Sequence, residues 1–425
     1  MHRLRWLVCL SVSISGLLFG LAPTAATAQR EDPTQRWLGA WATSPLRPDP
    51  TGTTDAAALS RNGFQDQTLR EIVYPHASGS QVRVRLSNTF GSQPLLIGQA
   101  NIGLQDSEAA VASGSDHQLT FAGHTTVRIP VGAEAYTDPV PLSVEAGRSL
   151  AISLYLPGPT GPVTWHATAR QTLYLASGNQ ASSPTGESFE GLPNVPSWYV
   201  LTGIDVAATP AQAAVVTFGD SITDGTNSSQ DANNRWPDYL ARRLNARPGN
   251  QLSVLDEGIG GNRVLSDTPT HVSALARINT DVLAQDGVRY VILLEGINDI
   301  GQTCLGNADA SADDIIRGYQ QIITQLHLKG IKVVAGTLTP FMGALHDTPN
   351  AGYYCANGES SRGEVNTWIR SSGEFDGVID FDQATRDPAD ALQFRPDYDS
   401  GDHLHPNDAG YQAMANAIDL RLFRH

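Results

Sequence analysis

The stretch Ala214-Val215-Val216-Thr217-Phe218-Gly219-Asp220-Ser221-Ile222-Thr223-Asp224-Gly225 decides the fold of this chain. Its first five residues are mostly apolar and β-favouring, a short run that reads as a strand buried on both faces. The Gly-Asp-Ser that follows ends the strand and turns the chain. Downstream the same alternation repeats. Trp236–Asn245 reads as a helix with Pro237 tolerated in its first turn. Residues 252–255 read as a strand, 271–285 as a helix and 290–294 as a strand. Ser311 opens a helix with Asp314 three residues on, a capping box. That helix repeats Ile315, Ile316, Tyr319, Ile322, Ile323 and Leu326 at helical spacing. Strands at 331–337 and 378–381 and a closing helix at 409–422 complete the pattern. Apolar strands alternating with helices predict an α/β domain, a parallel sheet covered by helices in three layers.

Upstream the period changes from helical spacing to two. Gln81-Val82-Arg83-Val84-Arg85-Leu86-Ser87 alternates polar and apolar, and Thr125-Thr126-Val127-Arg128-Ile129 does the same. Leu150 to Leu156 is an apolar run ended by Pro157-Gly158-Pro159. Turn residues recur between such runs, and no helix is expected in this half. The expectation is an all-β sandwich or jelly-roll domain over 29–206. Residues 207–213 form a linker with Pro210, and 214–425 the α/β domain.

The chain has 425 residues, 28 Lys+Arg against 43 Asp+Glu, and a formal charge of −15. Hydrophobic residues make up 40%, a globular composition, and the length fits two domains. The acidic balance excludes nucleic acid or anionic lipid held by a general cationic face. Residues 1–28 read as a secretory signal: a basic start at Arg3 and Arg5, an apolar run from Trp6 to Ala22, and Ala26-Thr27-Ala28 before the cut. Loss of those two arginines and no acidic residue takes the charge to −17. A secreted or periplasmic protein without a stable membrane anchor is expected. Two cysteines then remain, Cys304 and Cys355. An even pair in an exported chain, in polar loop-like sequence, points to one disulfide. Two free thiols are the competing reading.

In open α/β sheets, sites form beyond the carboxyl ends of the strands. The residues there are Gly219-Asp220-Ser221, then Asp256 to Arg263 with Gly261, then Glu295-Gly296-Ile297-Asn298-Asp299. Near the C-terminus stands Asp402-His403-Leu404-His405-Pro406. In this order the four stretches resemble the signature blocks of the SGNH/GDSL hydrolases: GDS, the glycine block, GxND and DxxHP. The resemblance covers Ala214 to His425, about half the chain. It implies a flavodoxin-like α/β/α domain and hydrolysis of carboxylic esters. More loosely, Gln81 to Asn88, Leu95 to Gly98 and Trp165-His166 resemble the β-domain of secreted bacterial GDSL acylhydrolases related to arylesterases and xylan-deacetylating enzymes. That implies a secreted two-domain esterase acting on an ester of a small molecule or of acetylated plant polysaccharide, and the lack of a long apolar lid segment points to a short or acetyl acyl group.

The residue types also make chemical sense without the resemblance. A serine hydroxyl is a poor nucleophile until a base takes its proton. Ser221 sits at a strand-to-helix turn, where helix dipoles favour negative charge. His405 is the candidate base, and Asp402 can hold its other ring nitrogen. The N–H groups of Ser221 and Gly261 and the Asn298 amide are the candidate oxyanion donors. Arg263, Trp165 and His166 are weaker candidates for a substrate pocket. The competing readings are an ion-pair partner, a half-buried aromatic and a surface histidine. No metal or organic cofactor is expected. No serine has the G-x-S-x-G context of the α/β-hydrolases. A lipase, phospholipase or thioesterase on the same triad is an alternative, as is a carbohydrate-binding or adhesion protein with a scaffold hydrolase domain.

Overall fold

The structure is a computed structural model that describes residues 35–423. The expected signal segment at 1–28 lies outside the described residues. The second domain carries five strands: β1 (Ala213–Gly219), β2 (Leu252–Gly258), β3 (Val288–Leu294), β4 (Lys332–Gly336) and β5 (Gly377–Ile379). All pair in parallel, in the spatial order β2-β1-β3-β4-β5. This is the flavodoxin-like order, with its switch point where β1 separates β2 from β3. Every residue of β1 is buried, as a strand covered on both faces requires.

Eight α-helices of this domain are α1 (Ser221–Asp224), α2 (Trp236–Asn245), α3 (Ala274–Ile278), α4 (Ile297–Cys304), α5 (Ala312–His327), α6 (Ala356–Ser371), α7 (Phe381–Thr385) and α8 (Asp408–Ala417). Six of them pack in two groups, α2 and α7 each on α8, and α4 and α5 each on α6. The box expected at Ser311 forms: its hydroxyl accepts the Asp314 N–H, and the Asp314 carboxylate accepts the Ser311 N–H. The helix expected over 271–285 is shorter. It starts at Ala274, because Asp267 accepts the Ser273 N–H at 2.9 Å and keeps the preceding residues in a loop, and it passes into a π-helical turn, Asn279–Leu283. Helix α6 escaped the sequence reading. Its buried face is Gly358, Arg362, Val365, Asn366 and Ile369, helically spaced but mostly small or polar.

Beside two antiparallel strand pairs, Trp165–His166 with Trp198–Tyr199 and Leu95–Ile97 with Val127–Ile129, the first domain holds two large antiparallel sheets. Arg36–Ala42, Leu201–Ala208, Val82–Ser87 and Glu134–Tyr136 lie in that order in one. The other runs Glu190–Leu192, Leu173–Ser177, Gln67–Val73, Leu150–Leu156, Gln99–Leu104 and His117–Leu119. One helix corrects the all-β expectation. Asp55–Asn62 is capped by the Thr54 hydroxyl and buries only Ala56, Ala57 and Ser60, too small a face for an apolar stripe to show. The connection between the domains is shorter than 207–213: strands fill 207–208 and 213, leaving a turn in which the Gln212 N–H donates to Thr209 O. Among the described residues no helix is long and apolar enough to cross a membrane.

The apolar core runs across the boundary between the domains, and polar contacts cross it too. The alternating strand Val82–Ser87 predicted a solvent face, yet Arg85 is buried and donates to Gln285 at 2.7 Å. Arg83 pairs with Asp286 at 2.6 Å. His76 places Nδ1 2.7 Å from Val254 O and Nε2 3.1 Å from Asp238. The polar face of that strand is therefore covered by the second domain.

Candidate active site

Ser221 opens α1 directly after β1. Asp220 caps this helix, its Oδ1 accepting the Ile222 N–H at 2.9 Å, and the Ser221 N–H is among the amides that a helix start leaves unpaired. Glycine loops crowd around this turn. A Cβ on Gly258 would sit 2.2 Å from the Asp224 nitrogen, so no larger residue lets the β2 exit pass so close.

The structure brings Ser221, His405 and Asp402 together. His405 Nε2 lies 2.8 Å from Ser221 Oγ, and its Nδ1 lies 2.6 Å from Asp402 Oδ2. Asp402 Oδ1 accepts the His405 N–H at 2.8 Å and the Leu404 N–H at 3.0 Å. Burial pushes the Asp402 carboxyl up, but these bonds and the His405 charge outweigh it and hold the group well below the carboxylate range. Asn227, from the loop after α1, donates to Asp402 Oδ2 at 2.9 Å, and the Ser400 hydroxyl to Oδ1 at 3.2 Å. Neither was singled out in the sequence, since both come from loops with no motif.

Asn298 lies in the first turn of α4. Its Oδ1 accepts the Tyr353 hydroxyl at 2.7 Å, while its Nδ2 is buried without a partner. A buried amide donor left unpaired is costly unless something else uses it. Gly261 holds φ +76°, a left-handed conformation, and a Cβ there would meet only His271 Nε2 at 3.6 Å. Its N–H donates to no other backbone group among the described residues. A helix-start amide, a loop amide and a side-chain amide thus follow the carboxyl ends of β1, β2 and β3.

Beneath these lies a buried acidic layer. Burial pushes the Asp220 carboxyl up to about 7 against the Ile222 N–H and the His405 charge. It pushes Asp299 up to about 6, although Asp299 accepts the Val264 and Leu265 N–H groups at 2.8 and 3.1 Å. Glu295 is raised well above its ordinary value, again by burial first. Arg277 is the cation of this layer, 3.7 Å from Glu295 Oε2 and 2.9 Å from Asp281 Oδ2. Burial and then the Arg277, Arg263 and Arg47 charges push the His271 imidazole down to about 4.

Trp165 is buried in the first domain, its indole donating to Arg47 O at 2.8 Å and its ring stacked on Tyr199. His166 is buried too, and faces Asp224 of the second domain at 3.0 Å. Arg263 reaches Ser266 Oγ at 3.3 Å, and its Nε is buried without a partner. His403 packs its ring on His346 and pairs with Asp399 at 2.5 Å, away from Ser221. Cys304 and Cys355 form a disulfide with Cα atoms 5.7 Å apart. It is set not between loops but between the end of α4 and the cap of α6.

The serine–histidine–aspartate chain and the block order agree with a family model. Residues 217–413 match the GDSL-like Lipase/Acylhydrolase family. The second domain is similar to that family over most of its length. The chain is similar to a carbohydrate acetylesterase family member from Sinorhizobium meliloti, with 16% identity and a TM-score of 0.38, covering 48% of this chain and 95% of that one. It is similar to a GDSL-like lipase from Bacteroides thetaiotaomicron, with 18% identity, a TM-score of 0.36, and 49% and 87% covered. It is also similar to an acetyl xylan esterase, with 21% identity, a TM-score of 0.36, and 48% and 96% covered. No curated protein matches the chain. In the second domain Ser221, Gly261, Asn298, Asp402 and His405 all stand on loops or helix starts at the carboxyl side of the sheet, where the fold places its sites.

Proposed function

We propose that the protein is a secreted serine esterase that hydrolyses carboxylic esters through an acyl-enzyme. Ser221 Oγ attacks the ester carbonyl and passes its proton to His405 Nε2. Asp402 holds the Nδ1–H and stabilises the imidazolium. The carbonyl oxygen, now negative, accepts from the Ser221 and Gly261 N–H groups and Asn298 Nδ2. His405 returns the proton to the departing alcohol oxygen. Water, deprotonated by the same imidazole, then attacks the acyl carbon and frees the acid and Ser221. The observation that carries this reading is the unbroken chain of 2.6 and 2.8 Å contacts from Asp402 through His405 to Ser221. The unpartnered Asn298 amide supports it.

The substrate we infer is a short-chain or acetyl ester, carried by a small alcohol or a neutral polysaccharide. The names of similar proteins, an acetyl xylan esterase and a carbohydrate acetylesterase family member, are in keeping with this choice. Export is inferred from the basic start, the apolar run and Ala26-Thr27-Ala28. Turnover of para-nitrophenyl acetate, butyrate and octanoate, with Ser221→Ala alongside, tests the whole reading. The expected result is acetate turnover that drops by on the order of 10⁴–10⁶ in the variant. Folded wild-type protein inert on every chain length overturns it.

A further inference from the structure

The loop that carries Gly261 is held from both sides by groups that trace back to the first domain. On one side, Ser44 O lies 2.9 Å from His166 Nδ1, and His166 Nε2 lies 3.0 Å from Asp224 Oδ1. The other oxygen of Asp224 accepts the Gly260 N–H at 3.2 Å. On the other side, Ser44 Oγ lies 3.0 Å from Arg277 Nη1, and Arg277 Nε donates to Asn262 Oδ1 at 2.9 Å. The same guanidinium donates to Gly219 O at 2.8 Å, two residues before the nucleophile. Ser44 also donates to Glu257 Oε2 at 2.7 Å. Ser44, His166, Asp224 and Arg277 are all 5% exposed or less. Gly260 and Asn262, the two ends of these arms, flank Gly261.

Gly261 has no side chain to anchor it and sits at φ +76°. Its amide can therefore be aimed only by its neighbours. Oxyanion donors work when they are fixed before the charge appears, and a donor displaced by about 1 Å loses most of its effect. We propose that the first domain, through His166 and Ser44, positions the Gly261 N–H and so forms part of the acyl-transfer machinery. His166 and Ser44 are positioning residues, since both act through Asp224 and Arg277. The proposal rests on the serine-esterase reading above and deepens it.

The test is steady-state hydrolysis of para-nitrophenyl acetate by the full chain as His166→Ala, His166→Gln and Ser44→Ala, beside wild type and Ser221→Ala, with thermal unfolding of each. A displaced donor lowers kcat, and a merely structural contact lowers only the unfolding temperature. The expected result is a kcat of His166→Ala reduced ~10–100-fold with KM within about twofold. Glutamine, which can still donate to Asp224, restores most of it, and Ser44→Ala loses several-fold. Wild-type kcat in folded His166→Ala, or a loss confined to KM, overturns the proposal while an inert Ser221→Ala leaves the esterase reading standing. If His166→Ala does not fold, Ser44→Ala decides by the same kcat criterion. An inert wild type or an active Ser221→Ala overturns both readings together.

Discussion

The Tyr353 hydroxyl lies 2.7 Å from Asn298 Oδ1, and this one bond leaves the Asn298 amide nitrogen as the unpaired end. The phenol has one proton and two oxygens in reach, Asn298 Oδ1 at 2.7 Å and Ile297 O at 3.2 Å; donated to the nearer, it holds the amide with its oxygen there and its NH2 elsewhere. Tyr353 is buried and its phenol is pushed well above its ordinary value, first by burial, so it stays a donor at any physiological pH. Removing the hydroxyl frees the amide to flip.

Two variants separate the donor from its support. Asn298→Ala is expected to lower kcat ~10²–10³-fold, as for other single oxyanion donors. Tyr353→Phe keeps the ring and the donor, and is expected to lower kcat by roughly tenfold with little change in KM. A Tyr353→Phe kcat equal to wild type shows that the amide needs no such support.

Asp402→Asn keeps the loop but removes the charge that favours the imidazolium and the correct tautomer. A fall in kcat of on the order of 10⁴ is expected. Asn227→Ala, which removes a donor to Asp402 Oδ2 and to Ser400 Oγ but leaves the charge, is expected to cost a few-fold at most. Comparing the two kcat values on para-nitrophenyl acetate checks the ranking.

Asp220 and Asp402 give opposite pH signs. The folded Asp220 carboxyl sits at about 7, above its ordinary 3.8, so the folded chain binds that proton more tightly than the unfolded one. Its stabilising contribution is present below 3.8 and is lost as pH rises from 3.8 to about 7. Asp402 is depressed, so its contribution is present above 3.8 and is lost as pH falls below that value. Asp220→Asn retains a carbonyl to cap Ile222 and cannot ionise. Measured from pH 4 to 8, the Tm of Asp220→Asn relative to wild type is expected to rise by several degrees. A pH-independent difference refutes the assignment.

The disulfide closes a loop with a sequence separation of 51 residues. In the chain-entropy model such a bridge stabilises by about 4 kcal/mol. Cys304→Ser with Cys355→Ser is expected to lower Tm by roughly 10 °C, at 2–4 °C per kcal/mol for a domain of this size. Thermal unfolding of oxidised protein and double variant measures it.

The sequence by itself determined the parallel sheet, the order of the four blocks and the residues that end each strand. Those features are local. An apolar run buried on both faces, a capping box at Ser311 or a glycine after a strand states its structure within about ten residues. Ser221, His405 and Asp402 were legible for the same reason, as each stands in a short motif fixed to an element end. Only the tertiary structure decided which polar groups meet across the domain boundary. Arg83 and Arg85 read as a solvent face because alternation reports two different faces and not what covers them. Arg277, Asn227 and Tyr353 carry no local signal, because the partners that matter lie 233, 175 and 55 residues away in sequence, and His166, named as a pocket candidate, gave no sign of its partner Asp224, 58 residues away. A hydrogen bond at that separation depends on the docking of two surfaces, and periodicity and composition do not encode it.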